Sequence, residues 1–239
     1  MIYTCESRVR YSEIGEDGNM TLFSLFNNFQ DCCIFHGEDA GVGLQYNTER
    51  GQAWIIANLQ AVIRRMPRFG EYIRVTTWAD GFRGIIAHRN FSIESAEGEL
   101  LAEAGTEWLF MNLTSRRPIR IPAEQGTAYG LHPEKKLTCD PGHRKIRMPE
   151  GGTQAKAFEI REQHLDTNGH VNNAQYVRMA MPYLPAHLAI HRLRVEYRMQ
   201  AMLGDVIVPR HVETEDGNAC YVELANEAGE AFFVGEFIE

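Results

Sequence analysis

Three side chains that suit acid–base chemistry occur within five residues of one another, in the pattern Asp166-x-Asn168-x-His170. An unperturbed histidine titrates near neutral pH, so His170 is suited to give or take a proton during a reaction. The side-chain amide of Asn168 could polarise a carbonyl oxygen by donating a hydrogen bond to it. Asp166 could orient a neighbouring group through a hydrogen bond. The pattern therefore predicts one small site that could act on a carbonyl compound.

These residues are expected to lie in a turn that leads into a helix. Asn172 can cap the start of that helix, because its side chain can accept a hydrogen bond from a backbone N–H group there. The free backbone N–H groups of a helix start could also stabilise an oxyanion. From spacing alone an alternative stays open, in which Asp166, Asn168 and Asn172 are ordinary turn and cap residues.

An internal repeat favours the functional interpretation. Residues 9–21 align without a gap on residues 160–172, at an offset of 151 positions. The first copy carries Gly15, Asp17 and Asn19 where the second copy carries the Asp, the Asn and the His. The turn can therefore form without the Asp-x-Asn-x-His set, so the second copy is expected to keep the set for chemistry.

Each copy is predicted to have a long helix after this turn. In the first copy, residues recur at the three- and four-residue spacing of one helix face. They are Leu22, Leu25, Phe26, Phe29, Cys32, Cys33 and His36. The offset of 151 places Tyr176, Val177, Ala180, Tyr183 and Leu184 on the equivalent stripe of the second copy. Phe23 widens the first stripe and Phe35 is expected in the core, so we expect the first helix to be almost wholly buried.

The residues that follow each helix predict β-strands, because β-branched and aromatic residues alternate or cluster between turn residues. The strands predicted for the first copy are 54–63, 72–78, 88–95 and 100–111. In the second copy, apolar residues alternate with polar ones from residue 192 to Gln200, which predicts a strand with one buried face. The predicted fold class is α+β, a long antiparallel sheet around a buried helix in each copy. We place the copies at 1–112 and 156–239, joined by a crossing linker at 113–155.

The composition limits the possible functions. The chain has 24 basic and 32 acidic side chains and a net charge of −8, which argues against a general nucleic-acid-binding protein. No apolar run is long enough to span a membrane, and the N-terminus lacks the features of a secretory or transit peptide. The five cysteines are odd in number and have no metal-ligand or CxxC spacing, which predicts reduced thiols, a cytoplasmic location and no metal site.

The motif Asp166-x-Asn168-x-His170-Val171-Asn172-Asn173-x-x-Tyr176, in the second of two tandem copies, resembles that of the bacterial acyl-ACP thioesterases. These enzymes are relatives of the plant fatty acyl thioesterases, and the resemblance covers nearly the whole chain. It implies a double hot-dog fold in which the first copy mostly forms the acyl-chain pocket. It also implies hydrolysis of fatty acyl-ACP to free fatty acid, acyl carrier protein as the partner, and no metal or organic cofactor.

The resemblance also implies roles for single residues. Asp166, Asn168 and His170 match the family's Asp, Asn and His. Plant members have Glu-Cys where this chain has Gln200-Ala201, so no cysteine nucleophile is available there, and Gln200 can hold a water molecule but cannot take its proton. We therefore expect His170, helped by Asp166, to activate water, while the Asn168 amide or backbone N–H groups hold the carbonyl oxygen. Glu196 is a weaker candidate for the base, and a salt bridge to a neighbouring arginine is the favoured interpretation of it.

Two other functions stay open at this point. One is hydrolysis of acyl-CoA. The other is a catalytically silent acyl-binding protein, which Gln200-Ala201 suggests and the intact Asp-Asn-His set disfavours. A tandem protein of this kind could be a monomer or a homodimer.

Three basic clusters interrupt the acidic chain. They could be solvated loop charges, or they could dock the acidic acyl carrier protein and its phosphopantetheine phosphate. The clusters are Arg64-Arg65-x-x-Arg68, Arg116-Arg117-x-x-Arg120 and His143-Arg144-Lys145-x-Arg147.

Overall fold

The computed structural model describes residues 1–138 and 145–239. The chain divides into two compact units, Met1–Pro141 and Gly142–Glu239. The division falls inside the segment 113–155, so each unit is longer than the copy predicted at 1–112 or at 156–239. Cys139 and the first two residues of the third basic cluster lie outside the described residues.

Unit 1 is a β-sheet with one long helix and two short ones. Its strands are β1 (Tyr3–Arg8), β2 (Gln52–Ile63), β3 (Tyr72–Arg83), β4 (Ile86–Ser95), β5 (Leu100–Asn112) and β6 (Arg117–Pro118). Its helices are α1 (Leu22–Asp39), α2 (Leu44–Glu49) and α3 (Ala123–Tyr129). The four predicted strands lie inside β2, β3, β4 and β5, each of which extends beyond the prediction at one or both ends.

The strands of unit 1 pair antiparallel in the order β1-β3-β4-β5-β2, and the short β6 pairs with the end of β5. Helix α1 packs on this sheet through its predicted face. The rings of Phe29 and Phe91 have centroids 5.0 Å apart, and the Cys32 thiol donates to the Val75 carbonyl at 3.4 Å. Phe35 points away from this face and is 53% exposed, so its prediction as a core residue is wrong.

Unit 2 repeats this plan with fewer residues. Its strands are β7 (Thr153–Gln154), β8 (Phe158–Glu159), β9 (Arg192–Tyr197), β10 (Val206–Glu213), β11 (Ala219–Ala225) and β12 (Ala231–Ile238). Its helix is α4 (Asn173–Ala180), which continues as a 3-10 turn at Met181–Tyr183. Strands β9, β12, β11, β10 and β7 are neighbours in that order, all antiparallel, and β8 pairs with β10.

The prediction of a long second helix is wrong. Helix α4 has 8 residues, whereas α1 has 18. Pro182 follows α4 after one residue and has no backbone N–H group with which to continue the helical hydrogen bonds. Pro185 further disfavours helical backbone at the residue before it. The buried part of the predicted stripe is therefore limited to Tyr176, Val177 and Ala180.

Equivalent backbone hydrogen bonds confirm the duplication. The Thr21 N–H group donates to Glu13 O at 2.9 Å, and Asn172, at the offset of 151, donates to His164 O at 2.9 Å. In unit 1 the Leu101 carbonyl accepts the N–H groups of both residues 64 and 65, and in unit 2 the Phe232 carbonyl accepts those of residues 198 and 199. Two N–H groups on one carbonyl form a bulge, and a bulge ends regular strand pairing at the same place in both copies.

No helix in the described part of the chain is long and apolar enough to cross a membrane.

A close approach in β12 gives a test of the packing in unit 2. A Cβ atom added at Gly235 would lie 2.7 Å from Phe237 and 3.0 Å from Phe233, two fully buried rings. We expect Gly235→Ala to lower the free energy of unfolding by about 1–3 kcal/mol, the usual cost of overpacking a core. Urea unfolding followed by circular dichroism measures this change.

Gly81 provides the matched control for that variant. It also lies in a strand, and a Cβ atom there would meet nothing within 4 Å. If Gly81→Ala destabilises the protein as much as Gly235→Ala, crowding by the two phenylalanines is not the cause.

Candidate active site

The predicted Asp-x-Asn-x-His pattern forms a tight turn before helix α4. Leu165 and Val171 face each other across the base of the turn as a bridge, and the Asp166 N–H group donates to His170 O at 2.7 Å. Gly169 closes the turn with a φ of 74°, in the left-handed region that glycine adopts without strain. Asp166 and His170 therefore lie opposite each other at the base of the turn, and Asn168 lies at its tip.

The Asp166 carboxylate holds this turn from inside. Its Oδ1 atom accepts the N–H group of Asn168 at 2.8 Å and that of His170 at 3.3 Å. Asn172 caps α4, since its Oδ1 atom accepts the N–H group of Ala174 at 2.9 Å. The turn-and-cap interpretation thus accounts for Asp166 and Asn172. In this structure Asp166 acts on the backbone of the turn, and no hydrogen bond joins it to the imidazole among the described residues.

The side chains of Asn168 and His170 are not used by the turn. Neither forms a hydrogen bond or an ion pair with another described residue. The Asn168 side chain is exposed and His170 is half-buried. Turn formation therefore does not account for these two side chains, which remain available to a ligand.

The segment that contains Gln200 runs beside the turn. The Val171 N–H group donates to Ala201 O at 2.9 Å, and His170 forms a bridge with Met202. Gln200 directly precedes Ala201 and its side chain is exposed. The tertiary structure thus brings Gln200 next to the predicted catalytic turn, although the two are far apart in sequence.

The strand predicted from residue 192 to Gln200 is shorter in the structure. Strand β9 ends at Tyr197, and the bulge at residues 198 and 199 interrupts the alternation, so Glu196 and Gln200 do not share one strand face. Glu196 accepts the Ile146 N–H group at 2.6 Å and forms a salt bridge with Arg198 at 2.9 Å. The carboxylate is therefore engaged in the salt bridge that the sequence favoured, with one oxygen on each partner.

Two tyrosines that the sequence did not assign to the site hold it together. The Tyr176 hydroxyl accepts the N–H group of the buried Ala201 at 2.9 Å, and the Tyr197 hydroxyl donates to Asn173 O at 3.2 Å. Burial raises the pKa of Tyr176 to about 12, so its hydroxyl stays protonated at neutral pH. The rings of Tyr176 and Phe233 are stacked with centroids 5.9 Å apart. These contacts fix α4 against the Gln200 segment and hence against the turn.

The first copy lacks both partners of the Tyr176 hydrogen bond. The residue equivalent to Tyr176 is Leu25, which has no hydroxyl group. After the helix the copies align at an offset of 134, which pairs Gly70 with Gly204, and there the residue equivalent to Ala201 is Pro67, which has no N–H group. The Pro67 carbonyl still accepts the Met20 N–H group at 2.7 Å, as Ala201 O accepts that of Val171. The contrast between these two pairs is the signal in the sequence that could have identified Tyr176.

Few backbone N–H groups near the helix start are free to hold an oxyanion. Those of Val171, Asn172 and Ala174 donate to other groups of the protein. Within the described residues, the N–H group of Asn173 has no such acceptor. The side-chain amide of Asn168 is therefore the more accessible donor for a carbonyl oxygen.

No set of three His, Cys, Asp or Glu side chains within the described residues is grouped closely enough to hold a metal ion. His187 lies with its Nε2 atom 3.3 Å from a Glu213 carboxylate oxygen.

Comparison with known proteins decides the family. A family model described as the acyl-ACP thioesterase N-terminal domain matches residues 1–129, and one described as the acyl-ACP thioesterase C-terminal domain matches residues 149–235. The chain belongs to the acyl-ACP thioesterase family. The resemblance inferred from the Asp-x-Asn-x-His motif and the tandem copies is thereby confirmed.

Relatives of this acyl-ACP thioesterase family member are known from plants and bacteria. A palmitoyl-acyl carrier protein thioesterase of Gossypium hirsutum is 26% identical in an alignment of length 226 that covers 87% of this chain and 54% of that protein. The chain thus spans about half the length of this curated relative. An acyl-ACP thioesterase structure from Bacteroides thetaiotaomicron has a TM-score of 0.89 at 22% identity and covers 99% of this chain and 97% of its own. The 12:0-ACP thioesterase of Umbellularia californica has a TM-score of 0.86 at 20% identity, and the match covers 99% of this chain and 96% of that one. These structures confirm the predicted α+β hot-dog fold.

The Tyr176 contact can be tested by removing its hydroxyl group. Tyr176→Phe leaves the Ala201 N–H group buried without an acceptor, so we expect the free energy of unfolding to fall by about 1–3 kcal/mol. Urea unfolding of the variant and the wild type measures the difference.

The first copy supplies the control for this prediction. Tyr176→Leu combined with Ala201→Pro reproduces the Leu25 and Pro67 pair, which has neither donor nor acceptor. We expect the double variant to recover part of the stability lost in Tyr176→Leu alone, because the unpaired N–H group is gone. Equal stability of the two variants would rule out the hydrogen bond as the cause.

Proposed function

We propose that this chain hydrolyses the thioester of fatty acyl-ACP, releasing a free fatty acid and the thiol of the carrier. One observation carries the proposal. The side chains of Asn168 and His170 form no hydrogen bond or ion pair with another described residue, and the Asp166 carboxylate holds the backbone of their turn. The membership of the chain in the acyl-ACP thioesterase family supports the substrate class. The names of relatives, which include palmitoyl- and oleoyl-acyl carrier protein thioesterases, support it as well.

In the proposed reaction His170 acts as the general base. Its imidazole takes a proton from a water molecule, and the oxygen of that water attacks the thioester carbonyl carbon. The Asn168 amide donates a hydrogen bond to the oxygen on which negative charge develops. The C–S bond then breaks, and the protonated imidazole returns the proton to the leaving thiolate. The reaction thus consumes one water molecule and one thioester and yields one fatty acid and one carrier thiol.

The other candidate residues receive supporting roles in this proposal. Asp166 positions the backbone of Asn168 and His170. Gln200, which is exposed beside the turn, is assigned the role of holding the attacking water. Glu196 is not assigned as the base, because both its oxygens are engaged by Arg198 and by the Ile146 N–H group.

Thiol release from a panel of acyl-ACPs, compared with the matching acyl-CoAs, tests the proposed function. We expect the wild type to cleave acyl-ACP and His170→Ala to lose at least about a hundredfold in kcat, the lower range of a general-base contribution. Asn168→Ala is expected to lose about a hundred- to a thousandfold, as does removal of one oxyanion donor elsewhere.

Asn19→Ala is the matched control, because Asn19 occupies in the first copy the position that His170 occupies in the second. We expect this substitution to leave kcat unchanged. Binding of acyl-ACP without thiol release from either carrier would identify a silent acyl-binding protein instead. Preferential cleavage of acyl-CoA would make coenzyme A the carrier.

The setting of this activity follows from the same proposal. Fatty acid biosynthesis is the process in which fatty acyl-ACP is made, so the enzyme would act in lipid metabolism. Cys5, Cys32, Cys33 and Cys220 are free thiols, which supports the predicted cytoplasmic location. Acyl carrier protein is the predicted partner, and the chain is predicted to act as a monomer or a homodimer.

A further inference from the structure

Four exposed arginines lie at one end of the sheet in unit 1, and we call them the arginine edge. They are Arg83, Arg116, Arg117 and Arg120. Arg83 is the last residue of β3, and its neighbour Gly84 accepts the N–H group of Ile121 at 2.9 Å. That bond brings the backbone of Arg83 next to that of Arg120. Arg117 lies in β6, paired with the end of β5, and Arg116 lies in the turn before it.

The four guanidinium groups have no partner in the described part of the chain, where none forms an ion pair, a hydrogen bond or a ring contact. The first basic cluster differs, because Arg64 pairs with Glu103 and Arg65 pairs with both Glu71 and Glu99. Carboxylates of unit 1 thus already neutralise two arginines of that cluster. The arginine edge keeps its positive charge for an external group.

Apolar side chains flank the charged ones. Ile85 is 38% exposed and its carbonyl accepts the Phe110 N–H group at 3.2 Å, which places it beside β5. Leu113, just after β5, is 45% exposed. Arginine together with exposed apolar groups is typical of protein-binding surfaces, whereas solvated loop charges need no apolar neighbours.

The charge of the edge is opposite to that of the molecule. The chain carries a net charge of −8, so an acidic partner is repelled by the protein as a whole. A local group of four unpaired positive charges provides a face at which such a partner can approach, and arginine forms bidentate hydrogen bonds with carboxylates and phosphates.

We propose that the arginine edge is the surface on which the acidic acyl carrier protein docks, with arginines pairing to its carboxylates. This inference rests on the proposed function, since that function supplies an acidic carrier protein as the partner. The edge holds the carrier and takes no part in the bond-breaking steps.

Two charge reversals test the proposal, Arg116→Glu/Arg117→Glu and Arg83→Glu/Arg120→Glu. Each is assayed with acyl-ACP and with acyl-pantetheine, a thioester that has neither a protein carrier nor a phosphate. We expect the KM for acyl-ACP to rise about tenfold or more, with kcat and the rate on acyl-pantetheine unchanged, because surface charges act on encounter with the partner. Added salt should raise the wild-type KM for acyl-ACP and narrow the gap to the variants.

The control is Lys156→Glu/Arg192→Glu, which makes the same change of charge at two exposed residues of unit 2. It separates a local surface from an effect of net charge. The docking proposal is wrong if the edge variants keep the wild-type KM, if the control raises KM as much, or if acyl-pantetheine turnover falls in parallel.

Cleavage tests the proposed function, and binding tests docking, so the two can fail independently. If the wild type does not cleave acyl-ACP at all, the proposed function fails. Fluorescence anisotropy with labelled acyl-ACP then still tests the edge, because docking requires the wild type to bind at least about tenfold more tightly than either edge variant. Equal binding would overturn the docking proposal, and cleavage with unchanged KM would overturn it while leaving the function in place.

Discussion

The carboxylate of Asp166 holds the backbone N–H groups of Asn168 and His170, and the candidate site depends on this contact. Because both hydrogen bonds go to the backbone, one carboxylate fixes the backbone positions of Asn168 and His170 and leaves both of their side chains unoccupied. The turn therefore presents an amide and an imidazole that have no other partner among the described residues. Second contacts from Tyr176 and Tyr197 hold the neighbouring helix and the Gln200 segment in place. A site of this kind is organised before substrate arrives, which lowers the cost of binding in a reactive geometry.

The two copies show how one backbone framework can carry different chemistry. Both have the same hydrogen bonds at the turn, the helix start and the bulge. They differ where a buried polar group needs a partner: Tyr176 satisfies the Ala201 N–H group, whereas Pro67 in the first copy has no N–H group to satisfy and faces no hydroxyl from Leu25. An unpaired buried donor is costly, so the residues at these two positions are coupled. The first copy forms its turn without the site residues, and Asp17 accepts the Asn19 N–H group there.

Much of this architecture could be predicted because it depends on local pattern. The four long strands of unit 1, the stripe of α1 and the Asn172 cap follow from periodicity and capping chemistry, which act over a few residues. Two predictions failed where the regular pattern was interrupted. Pro182 stopped the second helix, and a bulge ended β9 before Gln200. The proline and the bulge each alter the backbone at one point, and the average spacing of apolar residues does not reveal such a local change.

The sequence alone determined the duplicated plan, the family and the identity of the candidate catalytic side chains, because the repeat and the motif lie in consecutive residues. Tertiary structure decided which of those side chains are free. It placed Asp166 on backbone N–H groups, engaged Glu196 with Arg198, and brought Gln200 beside a turn some thirty residues earlier in the chain. It also decided that Arg65 is neutralised by two glutamates while the arginine edge is not. These outcomes depend on which groups meet across strands, and the free energy of a polar side chain is set by the partners it meets rather than by its neighbours in sequence.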